Sequence, residues 1–419
     1  MTDLTADYIV IGGGLTGCLV ASRLSQSEKE PRRHPARSRG GEFDYAYHSE
    51  PVTNTANRVH SLNSGKALGG GSILNYGGWL RADAADYNEW GSLVDDERWG
   101  YRGLLSWFRN SENFHDSAAD ANAHDFDGTM QIVCSNNTAT GVDLADGRII
   151  AVRREAIICA GTYRTPQVLS LSGIGPSDSL TQHGISMSMR TQKLAKTSMI
   201  ILSFTLPSVC VIHPLATLLE APTAFKGLPW DWVVSLPLPA EIMTKHESQV
   251  EKHNRNLHEV LTLYVPPSIP GIPIHGTHIA TSTMLLIPTS RCTVSIHSGN
   301  PTDPPYIQPN YFSSELDQDS LLHAAHQMLK AMLATAPMKA IVESETPALG
   351  KGLDGLTPLT ADSNYDTTKE RIRRTGMQHH HSGDCSCGLC RKQSTVGKKE
   401  RGPLLRITSA QEELKFILQ

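Results

Sequence analysis

The feature that most constrains this chain lies at its start. A β-rich run, Asp7–Ile11 (DYIVI), meets Gly12–Gly17 (GGGLTG), and the following residues carry apolar side chains at helical spacing. Strand, tight glycine turn and helix in that order open a dinucleotide-binding α/β unit. Gly12 permits the turn, Gly14 lets backbone approach a pyrophosphate, and Gly17 lets helix and strand pack closely. Leu15 and Thr16 complete the turn, and the pyrophosphate is expected at the helix N-terminus, where free N–H groups and the dipole favour an anion. The turn alone does not choose between FAD and NAD. The same logic asks for an acid about 20 residues on, to hold ribose hydroxyls. That window, Glu28–Glu42, has acids but no β-run before them, and reads as exposed loop.

With 419 residues the chain has room for two domains. A net charge of −4 excludes a general phosphate-backbone binder, so no nucleic-acid partner is expected. The N-terminus lacks the basic start and apolar run of a secretory signal, so the expected compartment is the cytoplasm. Met199–Leu219 has the length of a spanning helix. Pro207, His213 and Pro214 interrupt it, which favours a buried strand and loop and no membrane partner.

Further along, residues 84–112 read as helical, with Trp90, Trp99, Leu104, Leu105, Trp107 and Phe108 as core candidates. Residues 139–160 read as two strands joined at Asp146-Gly147. A short helix follows over 165–173, started by Pro166 and closed by Gly173 and Gly175. Residues 277–312 alternate as in a sheet, and 315–343 form an amphipathic helix with Leu321, Leu322, Ala325, Met328, Leu329, Met332 and Leu333 on one side.

Two stretches carry a family resemblance. Ser64–Arg81 (SGKALGGGSILNYGGWLR), continued by Asp86–Trp90 and Trp99–Tyr101, is similar to the first signature of the glucose–methanol–choline (GMC) flavoprotein oxidoreductases. Ala160–Pro176 (AGTYRTPQVLSLSGIGP) resembles the second. The resemblance implies FAD as cofactor, bound by Gly12, Gly14, Leu15, Thr16 and Gly17 at the pyrophosphate. It implies Gly65, Lys66, Gly69, Asn75, Tyr76, Gly77 and Gly78 along the flavin, and Ala160 and Gly161 near the adenine side. The implied fold is α/β (α+β overall): a Rossmann-like FAD-binding domain with a partial antiparallel-sheet substrate domain. On this reading residues 1–185 with part of 370–390 form the FAD domain, 186–345 the substrate domain, and 384–419 a diverged, disordered tail. The block-wise pattern is similar to that of intracellular members from fungal secondary-metabolite pathways, here incomplete at the C-terminus.

GMC enzymes oxidise a small alcohol by hydride transfer to flavin N5 while a histidine takes the hydroxyl proton. Histidine suits this because both of its proton states lie near neutrality. Within His379–Cys387 (HHHSGDCSC), the spacing to Gly383 sets His380 at the family's catalytic position. The family's second catalytic His or Asn has no counterpart downstream. Two other readings stay open: an inactive remnant of such an enzyme, and a metal-binding tail formed by Cys385, Cys387, Cys390 and the histidines. A structural zinc site wants four ligands, commonly in paired halves, and no second half follows, so no metal is expected.

Overall fold

The structure, a computed structural model, describes residues 4–25, 41–74, 81–111, 141–144, 149–190, 199–210, 233–246, 256–263, 269–273, 277–382 and 415–418. The first strand, β1 (Leu4–Ile11), runs through the Gly12 turn into helix α1 (Leu15–Ser25). Helix α2 (Ala84–Val94) starts where the Asp83 carboxylate accepts from the Ala85 N–H at 3.2 Å. It stops at Asp95, whose left-handed backbone ends the turn, so the expected helix over 84–112 is two helices. The second, α3 (Tyr101–Ser111), follows a short 3-10 turn. Tyr101, Leu104, Leu105 and Phe108 lie three and four residues apart and form its half-buried stripe. Trp107 falls off that stripe and is 58% exposed, against its expected place in the core.

Strands β2 (Gly141–Leu144) and β3 (Ile149–Ile158) pair antiparallel, as the Asp146-Gly147 signal requires, although residues 145–148 lie outside the described part. The apolar end of β3 then pairs in parallel with β1, Ile11 opposite Ile158. Helix α4 (Gly161–Leu171) follows at once. Pro166 therefore sits inside α4 rather than at its start, where its missing N–H removes one bond of the helical ladder. Gly173, at φ +79°, closes the helix in the left-handed conformation that glycine adopts without strain.

A second, six-stranded sheet comprises β4 (Met199–Cys210), β5 (Val233–Pro237), β6 (Asn256–Leu263), β7 (His278–Leu285), β8 (Val342–Glu345) and β9 (Met377–Ser382), paired antiparallel throughout. Its order is β8-β4-β7-β6-β5. One edge of β4 serves two partners: β8 lies along residues 208–210 and β9 along 199–203. Met199–Cys210 is thus a strand whose Phe204–Ser208 stretch is buried, and no helix among the described residues is long and apolar enough to cross a membrane. Met377–Ser382 adds to this sheet, so that part of 370–390 does not return to the sheet of β1. The last strand, β10 (Lys415–Leu418), lies parallel to β2 at the edge of the first sheet. The apolar run Phe416-Ile-Leu418 thereby takes up regular pairing inside a tail expected to have none.

Helix α5 (Glu315–Ala334) packs Leu321, Leu322, Ala325, Met328 and Leu329 into a core shared with Phe204 and Leu206 of β4. Each such fully buried leucine contributes about 1.5–3 kcal/mol. The helix ends nine residues before the expected 343, because Pro337 has no N–H to continue the ladder and its ring would clash with the preceding turn. Ile11 at the end of β1 and Ile372 on helix α6 (Tyr365–Thr375) join the same core. One apolar body therefore fixes the glycine turn relative to the second sheet.

Candidate active site

Three segments meet at the C-terminal ends of β1 and β3. The Cys159 N–H donates to the Ile11 carbonyl at 2.7 Å, which sets the two strand ends side by side. Gly12, at φ +114°, lies so close to Cys159 and Ala160 that a Cβ would overlap the Cys159 carbonyl and stand 2.9 Å from Ala160 Cα. A Cβ on Gly17 would overlap the carbonyl oxygen of Gly12, so helix and turn touch through backbone alone. Gly14 differs. The nearest atom to a Cβ there is the Cys159 oxygen at 4.0 Å, and nothing among the described residues requires that position to be bare.

The loop over Gly65–Gly71 supplies the third wall. The Gly69 N–H donates to the Gly13 carbonyl at 2.8 Å, and a Cβ on Gly70 would stand 2.8 Å from Gly14 Cα. Gly65 packs so tightly on Gly70 that a Cβ would overlap the Gly70 carbonyl. Leu15 and Leu68 are 57% and 76% exposed beside this junction, and Thr16 is exposed too. The loop is anchored by buried Asp44, whose carboxylate accepts from the Ala46 N–H (2.9 Å), the Ser64 N–H (2.9 Å) and Asn63 Nδ2 (2.6 Å). Lys66 is exposed, with Nζ 5.7 Å from the Tyr45 ring centre. Arg164, on the first turn of α4, stands over the same ring at 5.2 Å and donates from Nε to the Tyr47 hydroxyl at 2.7 Å. Burial pushes that hydroxyl up to about 12, with the Arg164 charge opposing the rise. Asn75, Tyr76, Gly77 and Gly78 lie outside the described residues.

The structure thus brings together Gly12, Gly14, Gly17, Gly65, Gly69, Ala160 and Gly161. His380 is not on this sheet. It occupies β9, at the register shift where His379 faces Ile201 and His381 faces Ile200, so His380 is the extra residue of a bulge. The side chains of His379–His381 are outside the described part, as are Cys385, Cys387 and Cys390. Among the described residues no group of three or more His, Cys, Asp or Glu is placed to hold a metal ion.

The strand bearing the histidines is held by residues that the sequence did not single out. Arg58 donates from Nη2 to the Gly376 carbonyl at 2.7 Å and from Nη1 to the Arg373 carbonyl at 3.1 Å, at the junction of α6 and β9. Arg371, buried on α6, donates to the Glu345 carboxylate on β8 and to the Thr357 carbonyl. The Leu359 N–H donates to the other Glu345 oxygen at 2.8 Å. Burial raises the Glu345 carboxyl above the usual range, and the Arg371 charge opposes it. Nothing in the local sequence marks Arg58 or Arg371.

The turn fits a dinucleotide. Gly12 and Gly17 are bare because protein backbone fills the space, whereas Gly14 is bare toward open space at the N-terminus of α1, where an anion is favoured. Profiles of the GMC oxidoreductase N-terminal and C-terminal parts match residues 6–143 and 288–399. The chain is 26% identical to the GMC-type oxidoreductase acuG of Aspergillus aculeatus, over 90% of this chain and 89% of the relative. It is 23% identical to a glucose dehydrogenase [FAD, quinone] of Drosophila melanogaster, over 92% and 79%. A formate oxidase structure from Aspergillus oryzae RIB40 superposes with a TM-score of 0.75 at 18% identity, covering 100% of this chain and 93% of the other, a likeness of fold. With family models matching more than half of its length, the chain belongs to the GMC oxidoreductases, and its cofactor is FAD.

Proposed function

We propose that this chain oxidises the CH–OH group of a small alcohol, with His380 as the base that takes the hydroxyl proton. The observation that carries the reading is the junction of Gly12–Gly17, Gly65–Gly70 and Cys159–Gly161, with open space at Gly14, where a pyrophosphate would lie. The α1 N–H groups and Gly14 would hold the pyrophosphate. Gly65, Lys66, Gly69 and Asn75–Gly78 would line the flavin, and Ala160 with Gly161 the adenine side. Bound FAD supplies the hydride acceptor. The protein's own task is to orient the alcohol, exclude water and hold a proton at an imidazole nitrogen of His380.

The test has two stages. Visible absorption bands that stay with the protein through gel filtration would support FAD binding, and their absence after flavin reconstitution would sink it. A panel of small primary alcohols is then assayed with oxygen and with a quinone as acceptors. If turnover is found, His380→Ala is expected to slow it by roughly 10²–10⁴, the factor for losing a general base. Flavin binding with no turnover on any alcohol would favour the inactive-remnant reading instead.

A further inference from the structure

We propose that Arg58 is a positioning residue: its guanidinium fixes the α6–β9 junction and thereby sets the strand that carries His380. The inference rests on the reading of His380 as base only for its kinetic consequence. The hold on the strand stands on geometry.

Arg58 bridges two carbonyls that a helix end leaves without intrahelical donors, Arg373 in the last turn of α6 and Gly376 immediately before β9. A planar guanidinium presents both N–H groups in fixed relation, and a cation at a helix C-terminus also meets the favourable end of the dipole. The contact is reciprocal. Arg373 donates from Nε to the Asn54 carbonyl at 3.2 Å, so the 54–58 turn and the end of α6 exchange donors.

The turn itself is rigidly closed. The Val52 N–H donates to the Arg58 carbonyl at 3.0 Å, the Thr55 N–H to Val52 at 3.0 Å, and the Arg58 N–H to Thr55 at 3.2 Å. Val52 is buried in the shared core, which ties this turn to the body that carries Gly12. Arg58 is half-buried, and loss of hydration lowers its pKa, with neighbouring Tyr311 opposing. Along its length β9 pairs with β4 alone among the described strands, so its first residue, Met377, is set between the β4 ladder and the Arg58 bridge. His380 follows three residues later.

A helix cap without further role would, on removal, loosen the whole molecule. A positioning residue would loosen β9 selectively. Hydrogen exchange of peptides covering 377–382 and 4–11 separates the two. For Arg58→Ala, which removes both charge-assisted hydrogen bonds, the expected result is a rise of roughly tenfold or more in exchange over 377–382, with 4–11 unchanged. Arg58→Lys keeps the charge but not the fork, and is expected to fall between Ala and parent; it carries the comparison if the alanine variant does not fold. Unchanged exchange in 377–382, or an equal rise in both peptides, overturns the proposal. With a turned-over alcohol, kcat of the Arg58 variants should fall at unchanged KM and flavin content. A fall in KM-governed or flavin-governed terms alone would also overturn it. Should His380→Ala keep the parental rate, the base assignment fails, while the exchange data still decide whether Arg58 sets the strand.

Discussion

Gly17 and Gly12 meet through backbone alone, with no room for a Cβ on Gly17 against the Gly12 carbonyl oxygen. Gly14, two residues from Gly12, has that room. Two glycines of one motif thus serve the fold, and the third faces open space.

Substitution should separate these duties. Gly17→Ala is expected to destabilise the protein by about 1–3 kcal/mol or more, as overpacking does, read as a lower thermal midpoint. Gly14→Val should leave the midpoint of the flavin-free protein nearly unchanged and abolish flavin retained after gel filtration. Equal retention in Gly14→Val and parent would mean the pyrophosphate lies elsewhere.

The Glu345–Arg371 pair joins β8, α6 and the 357–359 segment at buried positions. Removing one partner leaves a buried charge uncompensated, so Arg371→Met is expected to cost about 3–5 kcal/mol. The double variant Glu345→Leu with Arg371→Met should recover much of that loss, because no charge then remains buried. Denaturant midpoints of the two singles and the double supply the cycle. Additive losses would show that the two side chains do not act as a pair.

Thr283 is fully buried on β7, and its hydroxyl has no hydrogen-bond partner among the described residues. Thr283→Val keeps the shape and removes the unsatisfied group, so a gain of about 1 kcal/mol in unfolding free energy is expected. A loss would reveal that a water or an undescribed neighbour satisfies the hydroxyl.

Buried His60 has its pKa lowered to about 3, chiefly by lost hydration and then by the Arg58 charge, while Thr55 Oγ1 lies 2.8 Å from its Nε2. A lowered folded value means the unfolded chain binds the proton first. The stability from neutral His60 is therefore complete above about pH 6.5 and is lost as pH falls toward 3. Between pH 7 and pH 5 the loss from this one group is about 2 kcal/mol. His60→Gln should show a shallower decline over the same window, measured by urea unfolding at each pH. Parallel declines in parent and variant would place the acid sensitivity elsewhere, with His258, lowered to about 4, the next group to test.

What could be read in advance was what repeats locally. The strand–turn–helix of residues 4–25 and the stripe of Leu321, Ala325, Met328 and Leu329 declare themselves by spacing, because period reports the buried face. Trp107 was misplaced because an apolar residue one step off the stripe looks the same in composition as one on it. Pro166 was misplaced because a proline tolerated within a helix carries the same letter as one that begins it. Arg58 and Arg371 were not legible at all. Their partners are main-chain carbonyls and a carboxylate distant in sequence, and a long-range bridge leaves no local pattern.

The parallel pairing of β1 with β3 also dictates an order of events in synthesis. The carbonyl of Ile11 gains its partner only when Cys159 arrives, roughly 150 residues later in the chain, and pairing across such a separation is slow. Until then the newly made Leu4–Ile11 segment, rich in β-branched and aromatic residues, must wait at the ribosome with an unpaired edge. The glycine turn thus cannot close until about 150 further residues have been made, which makes the waiting Leu4–Ile11 strand a point where a chaperone has most to protect.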